Sequence, residues 1–395
     1  MSGRRIPLFS LFGFQVWLDF TWIVLALLIT WSLASGLFPH FYPGLGATTY
    51  WIMGVLGSIG LFLSIIIHEL SHSLVGRHYG MPIRGITLFI FGGVAELADE
   101  PGSPKAEFHT AIVGPITSIA LAGVFYVTGW VVNAAGAPVA ASGLFAYLAG
   151  INLMLALFNM VPAFPLDGGR VLRAALWRWK GQYRWATRIA SAIGQGFGLF
   201  LILLGVLSVV SGNFVGGMWW FLIGLFVRSA AQSGYERAVV HESLRGVPVR
   251  RLMRSNPVAV PASATVAELV DDYFYRYYFK SFPVVDGDRL VGMVNLREIR
   301  ELPRGRWHLT EVRGVMQPAS AKNTIAPDAD AATALEVMTR NAVPRLAVAV
   351  DGRLAGLLSQ TDILRYLSVR VGLEEETPRT LPLDDWQGDM SRPSR

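Results

Sequence analysis

Long apolar runs dominate the first 233 residues, and most charged residues lie between these runs or after them. A helix needs roughly 20 apolar residues to cross a bilayer. The predicted spans are residues 16–37, 50–74, 108–131, 143–161, 187–210 and 217–231. The last run is short, which fits a tilted or partly interfacial helix. Six such helices in a soluble core would leave no polar surface, so the pattern predicts an α-helical polytopic membrane domain over residues 1–233.

Basic residues are distributed asymmetrically about these spans. If the N-terminus is cytoplasmic, the outward-facing loops contain neither Lys nor Arg; they are 38–49, 132–142 and 211–216. All thirteen Lys and Arg residues among the first 240 lie on the opposite side. This distribution follows the positive-inside rule. We therefore expect a multi-pass cell-membrane protein with its N- and C-termini in the cytoplasm.

Composition narrows the range of partners and chemistries. The chain is 52% hydrophobic and only 16% charged, which excludes a disordered chain. A net charge of +6 would suit nucleic acid, but its placement beside the spans favours membrane lipids, and we expect no nucleic-acid partner. The Trp-containing basic stretch 170–188 is typical of a segment at anionic headgroups. Cysteine is absent, which excludes disulfides, thiolate zinc sites and cysteine nucleophiles.

The second span contains the pattern H-E-x-x-H as His68, Glu69 and His72. Two histidines four residues apart on a helix lie one turn apart on nearly the same face, so both can bind one zinc ion. Glu69 lies beside that face and can accept a proton from the attacking water. Ionisable groups inside a span are functional in most cases. The alternative is a His/Glu pair that forms hydrogen bonds between helices.

A third metal ligand is expected at the end of the fourth span, where Asp167 follows two helix-breaking prolines. The pair Gly168-Gly169 lets the backbone turn freely, so we expect Asp167 to be presented from irregular backbone at membrane depth. By the topology above, Asp167 and the two histidines lie towards the same side of the membrane. The alternative is an ordinary membrane-exit turn in which Asp167 pairs with Arg170.

The HELSH helix and the segment NMVPAFPLDGG, residues 159–169, resemble the site-2 protease family. These are zinc metalloproteases that cut peptide bonds inside the membrane. The resemblance implies that His68, His72 and Asp167 bind one zinc ion per chain and that Glu69 is the general base. It also implies a substrate or oxyanion contact for Asn159, whose alternative role is an interhelical hydrogen bond. The implied substrate is a single-span, membrane-anchored protein cut near the cytoplasmic face.

The segment 80–97 is too short to span, and its β-branched and aromatic residues favour strand. The pair Gly92-Gly93 predicts a β-hairpin or re-entrant turn there. Similar segments in this family are thought to hold an unwound substrate by strand addition, which would place Gly92 and Gly93 at a substrate contact. The alternative is a hairpin lying on the membrane surface.

Two further features lie close to these segments. Four acidic residues after the hairpin are expected to form a solvated loop, with a gating role as the alternative: Glu96, Asp99, Glu100 and Glu107. In the third span, Gly114-Pro115 and Ser118 resemble a small-residue motif that lies near the active site in the family. Close helix packing alone is the alternative.

The chain beyond residue 233 has the composition of a soluble α/β region and contains an internal repeat. The first copy contains LVGMVNLRE and the second LAGLLSQTD, each after a Pro-containing strand. The two copies resemble a tandem pair of CBS domains, which we place at 243–301 and 310–370. Residues 234–242 are the expected linker, and the charged, Pro-rich tail 374–395 is expected to be disordered. A CBS pair also raises the prospect of a homodimer through this region.

CBS pairs often bind adenine nucleotides, and the resemblance points to Ser359, Thr361 and Asp362 in the second copy for ATP, ADP or AMP. The first copy has Asn295 and Glu298 at the matching positions, so at most one good nucleotide site is expected. The alternative is that Thr361 and Asp362 only cap the helix 363–369.

Taken together, the sequence predicts a membrane zinc metalloprotease regulated by a CBS pair. Two other classes of protein are also compatible with the sequence. A CBS-gated transporter would need polar residues spread along a pore, whereas the intramembrane ionisable residues cluster at one site. A non-catalytic membrane scaffold would not need Glu69.

Overall fold

A computed structural model describes residues 5–81, 83–89, 92–97 and 101–375. The chain divides into two compact units, Met1–Ala238 and Val239–Arg395. The first unit consists of long helices with one small sheet. The second is an α/β unit.

Six helices of the first unit are long and apolar enough to cross a membrane, which confirms the predicted polytopic fold. The first of these spans, Phe20–Phe41, consists of α1 (Phe20–Ser32), a π-helical turn (Leu33–Leu37) and α2 (Phe38–Phe41). The others are α3 (Ala47–His78), α4 (Pro104–Ala134), α5 (Val139–Asn159), α7 (Tyr183–Val210) and α8 (Phe214–Leu244). A shorter helix, α6 (Asp167–Lys180), lies between α5 and α7.

The four strands of this unit form one sheet in the order β1-β2-β3-β4. Their bounds are β1 (Arg5–Leu11), β2 (Phe14–Asp19), β3 (Ile83–Phe89) and β4 (Gly92–Leu97). The pairs β1–β2 and β3–β4 are antiparallel, and the central pair β2–β3 is parallel. The predicted hairpin is therefore half of a larger sheet. Gly92 and Gly93 are not its turn: they begin β4 and pair with Phe89 and Leu88. That the hairpin is re-entrant stays a prediction.

The first span was predicted to begin at residue 16, which is wrong because residues 16–19 belong to β2. Phe14, Val16 and Leu18 alternate along β2 and are buried against Ile66 and Leu70 of α3. This alternation is the pattern of a half-buried strand.

Asp19 ends the strand and starts the helix. Its carboxylate accepts a hydrogen bond from the Thr21 backbone N–H at 3.0 Å, as an N-cap does. The span therefore begins at Phe20.

Helices α7 and α8 pack at two reciprocal pairs of glycines. A Cβ added at Gly205 would lie 2.7 Å from the Gly217 carbonyl oxygen, and one added at Gly217 would lie 2.6 Å from that of Gly205. Seven residues away, Gly198 and Gly224 approach each other in the same way. Small residues let helix backbones come this close, which is a typical packing mode in membranes.

The sixth span is longer than predicted. Helix α8 runs without interruption from Phe214 to Leu244, so the expected linker 234–242 is helical. The division between the two units falls inside that stretch, at Ala238.

The second unit contains two copies of one α/β motif. In each copy a short strand runs parallel to the next strand, which is antiparallel to the third. The strands are β5 (Arg254–Ser255), β6 (Val260–Pro261), β7 (Ser281–Asp286), β8 (Arg289–Asn295), β9 (Gln317–Pro318), β10 (Thr324–Ile325), β11 (Arg345–Val350) and β12 (Arg353–Ser359). The helices are α9 (Val266–Glu268), which continues through a π-helical stretch (Leu269–Phe274) into α10 (Tyr275–Tyr277), then α11 (Leu296–Arg300), α12 (Ala331–Arg340) and α13 (Gln360–Glu375).

The two copies share one sheet and exchange their first strands. The sheet order is β10-β11-β12-β8-β7-β6, and the copies meet where Arg353 pairs with Arg289. Strand β5 of the first copy pairs with β12 of the second, while β9 of the second pairs with β8 of the first. Each copy has its own apolar core, so the predicted repeat is a structural repeat.

The C-terminal helix extends further than expected. Helix α13 includes Glu374 and Glu375, the first two residues of the tail that was predicted to be disordered. The rest of that tail lies outside the described residues.

We predict that Gly205→Ala destabilises the first unit. The new Cβ would lie 2.6 Å from the Phe221 backbone nitrogen, so the two helices must separate. Overpacking of this kind costs about 1–3 kcal/mol. The measurement is thermal unfolding in detergent. Gly196→Ala is the matched control, because the same methyl group on the same helix meets nothing within 4 Å. Equal melting temperatures for the two variants would contradict the packing described here.

Candidate metal centre

Helix α3 carries both histidines of the H-E-x-x-H pattern and buries them. His68 is 3% exposed and His72 is 4% exposed. Their Nε2 atoms lie 3.1 Å apart, with the ring planes at 80°. One helical turn therefore brings two nitrogen atoms to the same point.

The Asp167 carboxylate completes a nearly equilateral triangle. Its Oδ2 atom lies 3.2 Å from Nε2 of His68 and 3.2 Å from Nε2 of His72. Zn²⁺ with bonds of about 2.0–2.1 Å in tetrahedral geometry holds neighbouring ligand atoms about 3.3 Å apart. These three buried residues thus fit three corners of such a site. The fourth corner would be available to water or substrate, as in catalytic zinc sites.

Helix α4 orients both imidazole rings. Nδ1 of His72 donates a hydrogen bond to the Thr110 carbonyl oxygen at 2.5 Å, and Nδ1 of His68 lies 2.9 Å from the Ser118 hydroxyl. With the proton on Nδ1, each neutral ring directs its Nε2 lone pair towards Asp167. Hydrogen bonds of this kind select the tautomer of metal-binding histidines.

Gly114 of α4 leaves the space that the rings occupy. A Cβ at this position would lie 2.3 Å from Nε2 of His72 and 2.7 Å from Nε2 of His68. The small-residue motif noted in the sequence therefore has a specific role. It lets a helix backbone lie directly against the two imidazoles.

Asp167 is the first residue of α6, which corrects the expectation of irregular backbone. Gly168 and Gly169 are helical and are not a free turn. They are needed for close approach: a Cβ at Gly168 would lie 2.3 Å from the Met160 carbonyl oxygen, and one at Gly169 would lie 2.1 Å from the Phe164 nitrogen. The Pro-containing loop therefore folds back over the start of α6 and fixes Asp167 there.

Asp167 has partners on two sides. Its Oδ2 atom faces the two imidazoles. Nη1 of Arg170 lies 3.8 Å from Oδ1 of Asp167. The expected alternative, pairing with Arg170, therefore coexists with the histidine contacts, because each oxygen faces a different partner.

Two other predicted residues flank the triangle. Glu69 is half-buried and follows His68 directly on α3. Asn159 is half-buried and is the last residue of α5, just before the loop that leads to Asp167. Their roles stay predictions.

A buried polar contact in the same unit was not predicted from the sequence. Asn152 of α5 is completely buried and donates a hydrogen bond to Oγ of Ser64, one turn before His68. A lone Asn inside an apolar span was the available signal.

Glu107 was predicted in a solvated acidic loop, which is wrong. It lies on the first turn of α4 with 0% exposure, and its Oε1 accepts a hydrogen bond from Nε of Arg173 at 2.6 Å. Of the other three acidic residues, Glu96 belongs to β4, and Asp99 and Glu100 lie outside the described residues.

In the second unit the predicted nucleotide residues form a helix cap. The Ser359 N–H donates to Oδ2 of Asp362 at 3.1 Å, and the Asp362 N–H donates to Oγ of Ser359 at 3.2 Å. This reciprocal capping begins α13, which starts earlier than the predicted 363–369. Thr361 is exposed beside the cap. In the first copy, Asn295 and Glu298 form the corresponding capping box.

Two arginines lie close to Asp362. Nε of Arg254 is 3.1 Å from Oδ1 of Asp362. Burial and the charge of Arg254 lower the pKa of Arg345, while the charge of Asp362 opposes them. The guanidinium of Arg345 also lies over the Phe279 ring, 4.4 Å from its centre. Positive charge is thus gathered at the N-terminus of a long helix, a position that favours anions.

Family models match both units of the chain. Peptidase family M50 matches residues 56–140 and 131–205, and the CBS domain matches residues 249–305 and 312–369.

Several known proteins are similar to this chain. Rip3 of Mycobacterium tuberculosis strain H37Rv is 34% identical over 382 residues, which cover 96% of this chain and 97% of that protein. Zinc metalloprotease MJ0392 of Methanocaldococcus jannaschii is 32% identical over 375 residues, covering 94% and 98%. A solved structure of the site-2 protease from Methanocaldococcus jannaschii is 32% identical, covers 58% of this chain and 95% of that chain, and has a TM-score of 0.42.

Both histidines of the buried triangle lie on the spanning helix α3, and Asp167 lies on the short helix α6. With the family matches, this arrangement indicates the class of membrane metallopeptidases. The chain belongs to peptidase family M50, the site-2 proteases, and carries a tandem pair of CBS domains. It is a multi-pass membrane zinc metalloprotease.

We predict that Gly114→Ala lowers zinc affinity at least about tenfold, since its Cβ must displace both imidazoles. The measurement is zinc content after equilibration with a chelator. Gly123→Ala on the same helix is the matched control, because a Cβ there meets nothing within 4 Å. Equal zinc retention in both variants would show that the rings do not need this space.

Proposed function

We propose that His68, His72 and Asp167 hold one zinc ion per chain and that Glu69 is the general base for hydrolysis of a peptide bond. The observation that carries this proposal is the buried triangle of two Nε2 atoms and one carboxylate oxygen, 3.1–3.2 Å apart. Three acceptors at this spacing repel one another unless a cation or a proton lies between them. A dication with a preference for nitrogen and oxygen ligands suits them.

Each residue has a separate part in the proposed reaction. A bound zinc ion would activate a water molecule and polarise the scissile carbonyl. Glu69 accepts the water proton and later donates it to the leaving amine. Asn159, at the end of α5, is proposed to donate a hydrogen bond to the developing oxyanion. Ser118 and Thr110 keep the two histidines in the tautomer that presents Nε2.

The proposed substrate is a single-span membrane protein cut near the cytoplasmic face. A helix hides its carbonyl groups in its own hydrogen bonds, so the substrate must be held in an extended form. Strand β4 ends the sheet order β1-β2-β3-β4 and begins with Gly92 and Gly93, so substrate can add to it by strand pairing. In support, β2 of the same sheet packs on α3 at Leu70, next to Glu69.

The proposed orientation places both termini in the cytoplasm, supported by the one-sided distribution of Lys and Arg. Trp179, Lys180 and Trp185 offer a contact for anionic lipid headgroups. The Lys180 ammonium lies 4.4 Å from the centre of a Trp185 ring, and Trp179 is 74% exposed.

The general-base role is tested with Glu69→Gln. Protein reconstituted in liposomes with a panel of single-span membrane proteins should lose cleavage by about 10²–10⁴-fold, while zinc content stays at the wild-type level. Mass spectrometry of the products locates the cut relative to the span. Glu236→Gln, on α8 outside the metal centre, is the control. Cleavage at the wild-type rate by Glu69→Gln would refute the assignment. Ion flux without cleavage would favour a transporter.

We also propose that the second CBS copy binds ATP, ADP or AMP at Ser359, Thr361 and Asp362, and that binding regulates cleavage. Arg254 and Arg345 beside Asp362 supply positive charge for phosphate. At the matching site of the first copy, Gln317 of β9 takes the place of Arg254, because β9 of the second copy pairs with β8. Its amide donates to Oε1 of Glu298 at 2.6 Å. This unit is also the proposed homodimer contact, where Tyr275 and Tyr278 expose aromatic surface.

Thr361→Val tests nucleotide binding without disturbing the cap, because Thr361 lies outside the Ser359–Asp362 capping pair. We expect ATP and AMP titrated into the full-length protein to bind about tenfold more weakly to this variant, a loss of about 1.4 kcal/mol. Glu298→Gln in the first copy should leave the affinity unchanged. Absence of binding by the wild type would leave Ser359 and Asp362 with the capping role alone.

A further inference from the structure

A fully buried ion pair joins the helix that carries Asp167 to the helix that orients the histidines. Glu107 of α4 has no exposed surface, and Arg173 of α6 is 6% exposed. Nε of Arg173 donates to Oε1 of Glu107 at 2.6 Å, and its Nη2 contacts the same oxygen. The other oxygen, Oε2, is buried without a hydrogen-bond partner among the described residues.

Stability alone is a poor explanation for such a pair. Removing two charges from water costs much of what their attraction returns, and apolar residues of similar volume often serve stability equally well or better. A charged hydrogen bond differs from apolar packing in being directional and short. It fixes the distance between two helices and the rotation of one about its axis.

The pair lies where that distance and rotation matter. On α4, Glu107 is one turn before Thr110, whose carbonyl accepts the hydrogen bond from His72. On α6, Arg173 is six residues after Asp167, about 9 Å along the helix axis. A slide of α6 along α4 would therefore move Oδ2 of Asp167 relative to both Nε2 atoms.

Arg173 also contacts the segments that precede and follow α6 in the chain. Its guanidinium lies 4.8 Å from the centre of the Phe164 ring and 5.1 Å from that of Tyr183. Phe164 belongs to the loop that leads to Asp167, and Tyr183 begins α7. A planar guanidinium can form the ion pair with its edge and stack with its face, which a lysine ammonium cannot do.

We propose that Glu107 and Arg173 are positioning residues for the metal centre. They hold α6 and the Phe164 loop in register with α4, so that Asp167 meets His68 and His72 at metal-binding distance. They touch neither the metal nor the substrate. The inference rests on the proposed zinc site and extends it to a pair of residues to which the family resemblance assigns no role.

The decisive variant replaces both partners by residues of similar size without charge, Glu107→Met with Arg173→Met. It keeps packing and removes the directional contact. We expect a melting temperature equal to or above that of the wild type, zinc affinity weaker by about 10–100-fold in a chelator competition, and a lower kcat with little change in KM. Wild-type zinc affinity in this double variant would overturn the positioning role.

Arg173→Lys provides a second test if the double variant does not fold. It keeps the charge but loses the stacking on Phe164 and Tyr183, so zinc affinity should again fall about tenfold. Ser58→Ala is the matched control, since it removes a partly buried hydrogen bond of 2.8 Å that joins Ser58 of α3 to Thr30 of α1 and involves neither α4 nor α6. Unchanged zinc affinity in Arg173→Lys would also count against the proposal.

The same measurements separate this inference from the proposed function. If the His68→Ala variant binds zinc as tightly as the wild type does, the zinc site itself is refuted. If His68→Ala loses zinc binding while Arg173→Lys and the Glu107→Met, Arg173→Met double variant retain wild-type affinity, only the positioning role is refuted.

Discussion

The membrane unit must bring the lone pairs of His68, His72 and Asp167 together at one point, and the packing of its helices depends on this requirement. Two Nε2 atoms and a carboxylate oxygen lie 3.1–3.2 Å apart in a region with little access to water. Neutral histidines with Nδ1–H engaged by Ser118 and Thr110 cannot donate to one another through Nε2. The arrangement is therefore costly in a low-dielectric interior unless a cation satisfies it. Helix α4 makes the convergence possible, because it supplies both Nδ1 partners and, at Gly114, the absence of a side chain.

Local patterns predicted the ligands because each ligand carries its own signal. The spacing of His68 and His72 on a helix implies their proximity, and Asp167 stands out beside prolines and glycines at the end of a span. Asp167 lies 99 residues after His68 in the sequence. Their proximity in space could not be predicted from this separation. It depends on how α4 and α6 pack, and the residues that decide this packing, Gly114, Gly168 and Gly169, act by lacking a Cβ.

The errors have a common physical origin. The run that begins at residue 16 is mostly apolar, so hydropathy extended the first span into β2. The alternation of Phe14, Val16 and Leu18 and the cap at Asp19 marked the boundary. Glu107 was assigned to solvent because acidic residues near a span end are normally hydrated. Its burial depends on Arg173, 66 residues later, a partner that no local pattern reveals. In the second unit the repeat was evident, while the exchange of β5 and β9 between copies required long-range pairing.

The two units differ in the types of residue that they bury. The CBS unit has conventional cores of Val, Leu, Ile and Phe. In the membrane unit many large apolar residues face outwards, as Leu27, Trp130 and Leu207 do, and the buried positions include Ser64, Thr110, Ser118, Asn152 and Ser191. Lipid is as apolar as leucine, so apolar contacts there give little preference for one helix partner over another. Backbone approach at glycines and a few hydrogen bonds must specify the pairing. Since the metal centre draws on the same polar interior, its hydrogen bonds orient the ligands and determine which helices meet.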